Sequence, residues 1–552
     1  MNKYSDGNTG NEQFVYIENG VIKTHLSLEP EYGSTQLEYH HCIVSSTLID
    51  MAQRFYDELN ILKDEVARLS KRPERPKLKP STIAKEDKSY QQARKKRTQS
   101  PNPKKSALNI TQTIKLKPTV ALQKGARFKG YKNYFVQDIK IKVETICYQR
   151  ERWQLASGET CMGELPESVK GHHFGENLRA FILYQYFHNH VTQPLLLNQL
   201  RELGISISAG QLSNLLTKKQ TDFKEEKEDL LRQGLKHSEY IQVDDTGARH
   251  RGKNGVCTQV GNQYFTFFKT TTSKSKNNFL TLLQSDNVGY RLNQASYDYL
   301  KRFKHFSSWG LWEVEYHLQQ GVLYSSQNEW LNYLNCHNSY SKGAYKRLTE
   351  AAMIGYLTQD VFKDKLIILS DEAKQFDLNQ NAACWVHAER KLTQLTPTNE
   401  KQIKLKENKL KQFWALYKTL KAEQGQGSFT PQRKYQIKTR LDNLCKKVTG
   451  FNKLNLELAH LFKMKSTLLR CLEIPNIPLH NNQSESDIRE YVKRRKLSGC
   501  TKSDDGRDAV DTFLSLKKTC QRHNISFLAF LNDRIQKLSQ IPQLSEFIIN
   551  SS

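Results

Sequence analysis

Apolar positions change their period several times along this chain, and each change marks a predicted element. Residues 1–43 are polar with a few aromatics and no sustained period, so no element is assigned there. From 44 to 70 the period becomes seven: Leu48, Phe55, Leu62 and Leu69 recur, with Ala52, Leu59 and Val66 at the alternate positions. That heptad seam, ringed by charge, predicts a helix. Three heptads are marginal for a lone coiled coil, so a helix packed on its own domain and a self-association helix both fit. Residues 71–106 then carry thirteen Lys and Arg, three acids and five prolines, with the run Arg94-Lys95-Lys96-Arg97 among them. Such a stretch cannot bury apolar area and reads as a disordered basic linker. It serves either as a solvated tether or as a track along phosphates.

Residues 107–170 alternate apolar and polar positions, as in VQDIKIKVETICYQRERWQL before the turn SGET, which predicts a small β-rich segment. Residues 171–237 return to a helical period. Phe174 to Phe187 reads as one amphipathic helix, Pro194 after Thr192 suits the first turn of a second, and Gly204 stops it. Ser208 then caps AGQLSNLL, and a charged helix follows from Lys218 to Lys236. Two short helices around a Gly-containing turn form a helix-turn-helix-like pattern that suits a DNA groove. Helical hairpins also occur in proteins that touch no DNA.

From 238 onward the pattern predicts an α/β domain. SEYIQV is a strand ending at Asp244-Asp245-Thr246-Gly247, and GVCTQV and YFTFFKT are two more, joined by the turn Gly261-Asn262-Gln263. Lys274 to Leu283 turns helical, and an irregular, aromatic-rich insertion fills about 284–344. After a helix at about 345–359 comes KLIILS, a near-continuous apolar run of the kind a buried central strand shows, ending at Asp371. AACWVH (382–387) reads as a further buried strand, with Cys384 as core and Trp385 as core packing or a base-stacking wedge. His387 there either lines a site or is a hydrogen-bonded structural histidine. Charged amphipathic stretches at about 390–475 predict a helical insertion.

Composition narrows the function classes. The chain has 552 residues, 84 Lys and Arg against 57 Asp and Glu, and a formal charge of +27. A field that positive favours a polyanionic partner. No window approaches the apolar length of a membrane span, and the first thirty residues lack the basic start and apolar run of a secretion signal. The ten cysteines form no CxxC pair, which argues against a disulfide framework and a standard zinc finger and fits a reducing cytoplasm. Zinc is not expected.

Three carboxylates carry the candidate chemistry. In a ribonuclease-H-like sheet the fourth strand lies parallel to and beside the first, so Asp244 and Asp371 at their C-terminal ends approach each other. Two such charges repel, and a divalent cation is the simplest stabiliser; Mg²⁺ suits a carboxylate pair plus substrate phosphates. Glu485, in HNNQSESDIREYVKRRKLSGC, would project from the first turn of a helix starting near Asn482 and complete a two-metal site. Asn482-x-x-Glu485 is equally a capping-box pattern, and a strand-terminal Asp is equally a turn former. The helix after Glu485 is basic: Arg489, Lys493, Arg494, Arg495, Lys496, Lys502 and Arg507 offer a phosphate-binding face or a solvated one.

VDDTGARHRGKNGVCTQVGNQYFTFFKTTTSKSKNNFL, LIILSDEAKQFDLNQNAACWVHAERKL and NNQSESDIREYVKRRKLSGCTKSDDGRDAVDTFLSLKKTC closely resemble the large transposase of the insertion-sequence-66 family. HHFGENLRAFILYQYF, LRELGISISAGQLSNLLT and FKGYKNYFVQDI also look like family segments, so the resemblance spans about 125–535. It implies a DDE transposase with a ribonuclease-H-like catalytic core at 238–535 and a tail at 536–552. Matching motif to motif, the acids that hold metal and catalyse fall on Asp244, Asp371 and Glu485; Asp245 stands where the family often has Glu. The resemblance implies Mg²⁺, with Mn²⁺ substituting, double-stranded DNA at terminal inverted repeats and targets as partner, and a homo-oligomer on paired ends of a bacterial insertion sequence. It leaves small accessory proteins open. A catalytically inactive, transposase-derived DNA-binding protein and a ribonuclease-H-type nuclease without joining activity are the competing readings. The family's N-terminal cysteine-rich zinc module has no counterpart here.

Overall fold

A computed structural model describes residues 110–550, apart from short breaks of which 304–314 is the longest, together with three strands inside 2–26. Those strands, β1 (Asn2–Tyr4), β2 (Gln13–Glu18) and β3 (Val21–Leu26), form an antiparallel sheet where the hydropathy pattern assigned nothing. The heptad helix and the basic linker lie outside the described residues.

The expected β-rich segment is smaller than the alternation suggests. Among its described residues only the hairpin β4 (Arg152–Gln154) and β5 (Thr160–Met162) forms, and both strands are exposed. Alternation specifies a strand only where a second strand or a core takes up the apolar face. The helical region is closer to expectation. Helix α1 (Glu176–Leu183) continues as a π-helical turn through His188, so the single helix to Phe187 is interrupted in its hydrogen bonding. Helix α2 (Gln193–Glu202) has Thr192 at its N-cap and Pro194 in its first turn. Gly204 takes φ +83° at the turn, a conformation that a Cβ would strain. Ser208 caps α3 (Ala209–Thr217) in a reciprocal capping box with Gln211. Helix α4 (Thr221–His237) leads into the sheet.

Five strands make the central sheet in the order β12-β11-β6-β7-β8. Strands β6 (Tyr240–His250), β7 (Lys253–Gly261) and β8 (Thr266–Thr271) are an antiparallel meander. Strands β11 (Ile367–Ser370) and β12 (Asn381–Ala383) add in parallel on the other side of β6. The result is a mixed α/β architecture compatible with a ribonuclease-H-like core. Strand β6 runs six residues beyond Asp244, so Asp244 and Asp245 belong to its pleat and not to a turn after it. Tyr240–Val243 are buried, as a strand covered on both faces must be, and burial gives way at Asp244.

Strand β8 is an edge, and an unpaired edge invites pairing with another chain. Helix α14 (Asp504–Arg522, the last long helix but one) closes it with side chains. Asp511, Ser515 and Thr519 accept hydrogen bonds from the backbone N–H groups of Thr270, Phe268 and Thr266 at 2.7, 2.8 and 3.1 Å. Four residues of helix rise about 6 Å and two residues of strand about 6.8 Å, so the two ladders stay in step for three rungs.

Between β8 and β11 come α5 (Lys276–Gln284), the short ribbon β9 (Tyr290–Arg291) with β10 (Leu323–Tyr324), α6 (Gln294–Leu300), α7 (Gln327–Cys336) and α8 (Lys342–Tyr356). The 284–344 insertion therefore has its own short elements. After β12 the chain does not continue as the strand AACWVH. It leaves the sheet at Ala383, and α9 (Trp385–Thr393) begins. The apolar run is short enough to suit either element, and Trp385, Ala388 and Leu392 share a helical face. Helices α10 (Glu400–Glu423), α11 (Pro431–Leu444) and α12 (Asn452–Lys463) follow. Their apolar side chains form a core of their own around Trp385, which is fully buried and donates Nε1–H to the Leu468 carbonyl at 2.9 Å. Trp385 is thus core packing, and not a wedge. Helix α13 (Asn482–Ser498) returns to the sheet, and α15 (Phe527–Gln536) follows α14. No helix among the described residues is long and apolar enough to cross a membrane.

Candidate active site

Register brings the two aspartates together. Strands β6 and β11 pair Leu369 with Gln242 in parallel, and Asp371 and Asp244 each lie two residues further along. They are therefore neighbours on the same face, Asp371 just past the end of β11 and Asp244 midway along β6. Ala383 of β12 is beside Ser370 on the far side, and α9 starts two residues later. The N-terminus of that helix therefore lies beside the ends of β11 and β12.

Glu485 arrives by a different route. Asn481 precedes α13 and makes no side-chain cap. Its Nδ2 instead donates to the carbonyl of Val243, the residue before Asp244, at 2.8 Å. Its backbone N–H donates to the buried Cys384 sulfur at 3.2 Å. One turn on, the Ser484 N–H donates to the Gln242 side chain at 3.3 Å, and the Ser484 hydroxyl donates to that of Gln259. These bonds clamp the first turn of α13 onto β6 and β7. Glu485 does not serve a capping box. Its Oε1 stands 3.6 Å from Arg390 Nη1 and 3.8 Å from His387 Nε2, and its Oε2 stands 3.5 Å from Arg489 Nη2. Oε1 is buried and makes no hydrogen bond.

The electrostatics agree with this convergence. Asp244 is pushed up to about 7, first by burial and then by repulsion from Asp371, Glu485 and Asp245, against one hydrogen bond from the Asp245 N–H. Its neighbour Asp245 is already satisfied. Lys274 Nζ lies 2.8 Å from one oxygen and Gln375 Nε2 lies 2.6 Å from the other. Adjacent strand residues face opposite ways, so these two carboxylates have separate environments. His387 is lowered, mainly by burial, with Arg390 adding to the effect and Glu485 opposing it.

Three carboxylates are a hard oxygen donor set that fits Mg²⁺ or Mn²⁺. As the side chains stand, no three His, Cys, Asp or Glu among the described residues could hold an ion together. Glu485 is turned towards Arg390 and His387.

The seven basic residues of the third motif separate into groups. Arg489, Lys493 and Lys496 are exposed along one face of α13, which continues outward from Glu485. Lys502 is exposed beyond the helix. Arg495 reaches back to the carbonyl of Gly247. Arg507 is engaged by Asp504 and Asp508 at 3.0 and 3.2 Å. Arg494 faces inward: it is buried, stacks 3.8 Å over Tyr186 and donates to the Tyr186 carbonyl at 2.6 Å. One turn of a helix cannot present three successive basic residues to one side, and the middle one takes the protein-facing position.

Sequence reading passed over Arg390 and Asn481. Reading 384–393 with a helical period would have put His387 and Arg390, three apart, on one face. Asn481 carries no such signal, because its bonds go to residues distant in the chain.

The family model described as "Transposase IS66 family" matches residues 171–304 and 322–509, more than half of the chain. The gap in that match falls inside the 284–344 insertion. An "Uncharacterized protein y4jO" of Sinorhizobium fredii is 37% identical over 308 residues, covering 55% of this chain and 94% of that protein.

Proposed function

The chain belongs to the transposase IS66 family, and from that membership we propose that it cuts and joins DNA at Asp244, Asp371 and Glu485 on a ribonuclease-H-like core. The observation that carries the reading is the parallel register of β6 and β11, which makes Asp371 the neighbour of Asp244 while Asn481 ties the helix bearing Glu485 to the same strand. In this reading Asp244, Asp371 and Glu485 would be the ligands of two divalent ions. Such ions, when bound, polarise the attacking oxygen and offset charge on the leaving oxygen of an in-line displacement.

The chain's own residues do the positioning. Arg489, Lys493 and Lys496 on the exposed face of α13 hold phosphates of the bound strand. Arg390 stands 3.6 Å from Glu485 and would be free to pair with a phosphate if that carboxylate held an ion. In the first step water attacks the phosphodiester at the element's end, and the 3′-oxygen leaves as a hydroxyl. In the second step that 3′-hydroxyl attacks a target phosphodiester, so one bond forms as one breaks and no covalent protein–DNA intermediate arises. No Ser or Tyr nucleophile is required.

The test combines the protein, Mg²⁺, labelled element-end DNA and a plasmid. Joined products are expected. Cleavage without joining would favour a nuclease, and a gel shift with neither would favour a DNA-binding protein. Asp371→Asn is expected to abolish both chemical steps and leave end binding within about twofold, because one buried-edge carboxylate is lost and no phosphate contact is. Joining by that variant would overturn the assignment.

A further inference from the structure

Among the described residues, large exposed apolar side chains are concentrated upstream of the helical region. Phe128, Tyr131 and Tyr134 are 75%, 62% and 91% exposed, on irregular backbone that bends at Gly125 and Gly130, both at positive φ. Ile110, Ile114 and Leu116 just before them are exposed as well. Soluble proteins seldom leave such a run uncovered without a partner for it.

Charge decides which partner. Residues 110–137 contain six Lys and Arg and no Asp or Glu. Arg127, Lys129 and Lys132 alternate with the three aromatic rings. Protein–protein interfaces favour aromatics but deplete Lys, and a second copy of a chain with formal charge +27 would repel this stretch. Basic residues interleaved with aromatics instead match a single nucleic-acid strand, whose backbone takes the cations and whose unpaired bases stack on the rings. Paired bases hide their faces within the helix stack, so the exposed rings select unpaired ones. The rings are already grouped: Phe128 and Tyr131 meet edge to face at 5.0 Å, and Lys115 lies 5.7 Å over Tyr131.

We propose that the segment Gly125–Tyr134 is a docking site for unpaired DNA, separate from the exposed face of α13, with Arg127, Lys129 and Lys132 on phosphates and Phe128, Tyr131 and Tyr134 on bases. This rests on the reading that the protein acts on DNA, and the test separates the two.

Full-length protein in EDTA, where no cleavage can occur, is titrated with a labelled blunt duplex, the same duplex bearing a single-stranded flank, and oligo-dT. The flanked duplex and oligo-dT are expected to bind more tightly than the blunt duplex allows. The triple variant F128A/Y131A/Y134A is expected to lose about tenfold or more on flanked and single-stranded probes, and to stay within about twofold on the blunt duplex. Since the rings are exposed, its thermal melting should match that of the wild type. Equal binding of all probes by wild type and variant would overturn the proposal. So would a variant that keeps flank binding but no longer self-associates, which would mark the segment as a contact between copies. Failure of the Mg²⁺ assay above would leave these binding differences intact, and loss of the differences would leave that assay intact.

Discussion

At the residue scale, Asp244 carries the tension of the site. Burial and three nearby carboxylates push it up to about 7 from 3.8. A raised carboxylate binds a proton more tightly in the folded protein than in the unfolded one. Its stabilising contribution is therefore complete below about 3.8 and is lost as pH rises through about 7. In the ion-free protein Asp244→Asn, which cannot ionise, should be more stable than wild type at pH 8 by about 1–3 kcal/mol, with the gap closing towards pH 4. Denaturant titrations of both proteins at the two pH values measure it. A wild type more stable than the variant at pH 8 would contradict the convergence of the three acids. Asp245, adjacent in sequence, differs from Asp244 in its partners. Lys274 and Gln375 already bond Asp245, and both come from elements whose approach only the folded chain reveals.

The edge of the sheet illustrates the element scale. Asp511, Ser515 and Thr519 are spaced four apart on α14, and each takes a backbone N–H of β8. Removing one acceptor leaves a buried donor unsatisfied. Ser515→Ala is expected to cost about 1–3 kcal/mol in chemical denaturation, while Ser498→Ala at the exposed end of α13 should stay within about 0.5 kcal/mol. Equal effects at the two positions would mean that water, and not the serine hydroxyl, serves the edge. Helix α14 carries polar residues at its sheet-facing positions, so hydropathy alone does not mark that face. Element boundaries failed for related reasons. AACWVH has the composition of a buried strand, yet Trp385 packs against Phe413 at 5.1 Å, and the helical insertion claims it. Among the described residues, the stretch from 110 to 151 alternates like a strand and forms none.

Across the molecule, distant parts of the chain meet at Glu490. His190, between α1 and α2, lies 2.8 Å from its Oε1, and Lys517 of α14 lies 2.5 Å from the same oxygen. The His190 hydrogen bond first, and Lys517 with it, hold Glu490 well below the usual carboxylate range. A depressed carboxylate contributes fully above its ordinary value of 4.5 and loses that contribution as pH falls towards its folded one. Glu490→Gln would leave the buried Lys517 without its counter-charge. It should destabilise the protein by roughly 3 kcal/mol at pH 7, with the difference shrinking below pH 4. A constant difference across that range would show that the ion pair is not the cause. The pairing joins the helical region to α13, the helix of Glu485, and nothing in the local pattern around His190 or Glu490 announces it.

What the sequence determined by itself was everything that depends on near neighbours and on chemical type. The period of apolar residues marked the meander, the central strand KLIILS and the capped helix after Ser208. The acids at the strand ends marked the candidate chemistry, and the excess of Lys and Arg marked a polyanionic partner. Tertiary structure decided which of these residues face one another. It set Asp371 opposite Asp244 through strand register, turned Arg494 inward and left Arg489 outside, and brought Arg390 and Asn481 to the site. Periodicity is a property of contiguous residues, whereas a hydrogen bond across 238 positions, such as that from Asn481 to Val243, exists only once packing has fixed both ends in space.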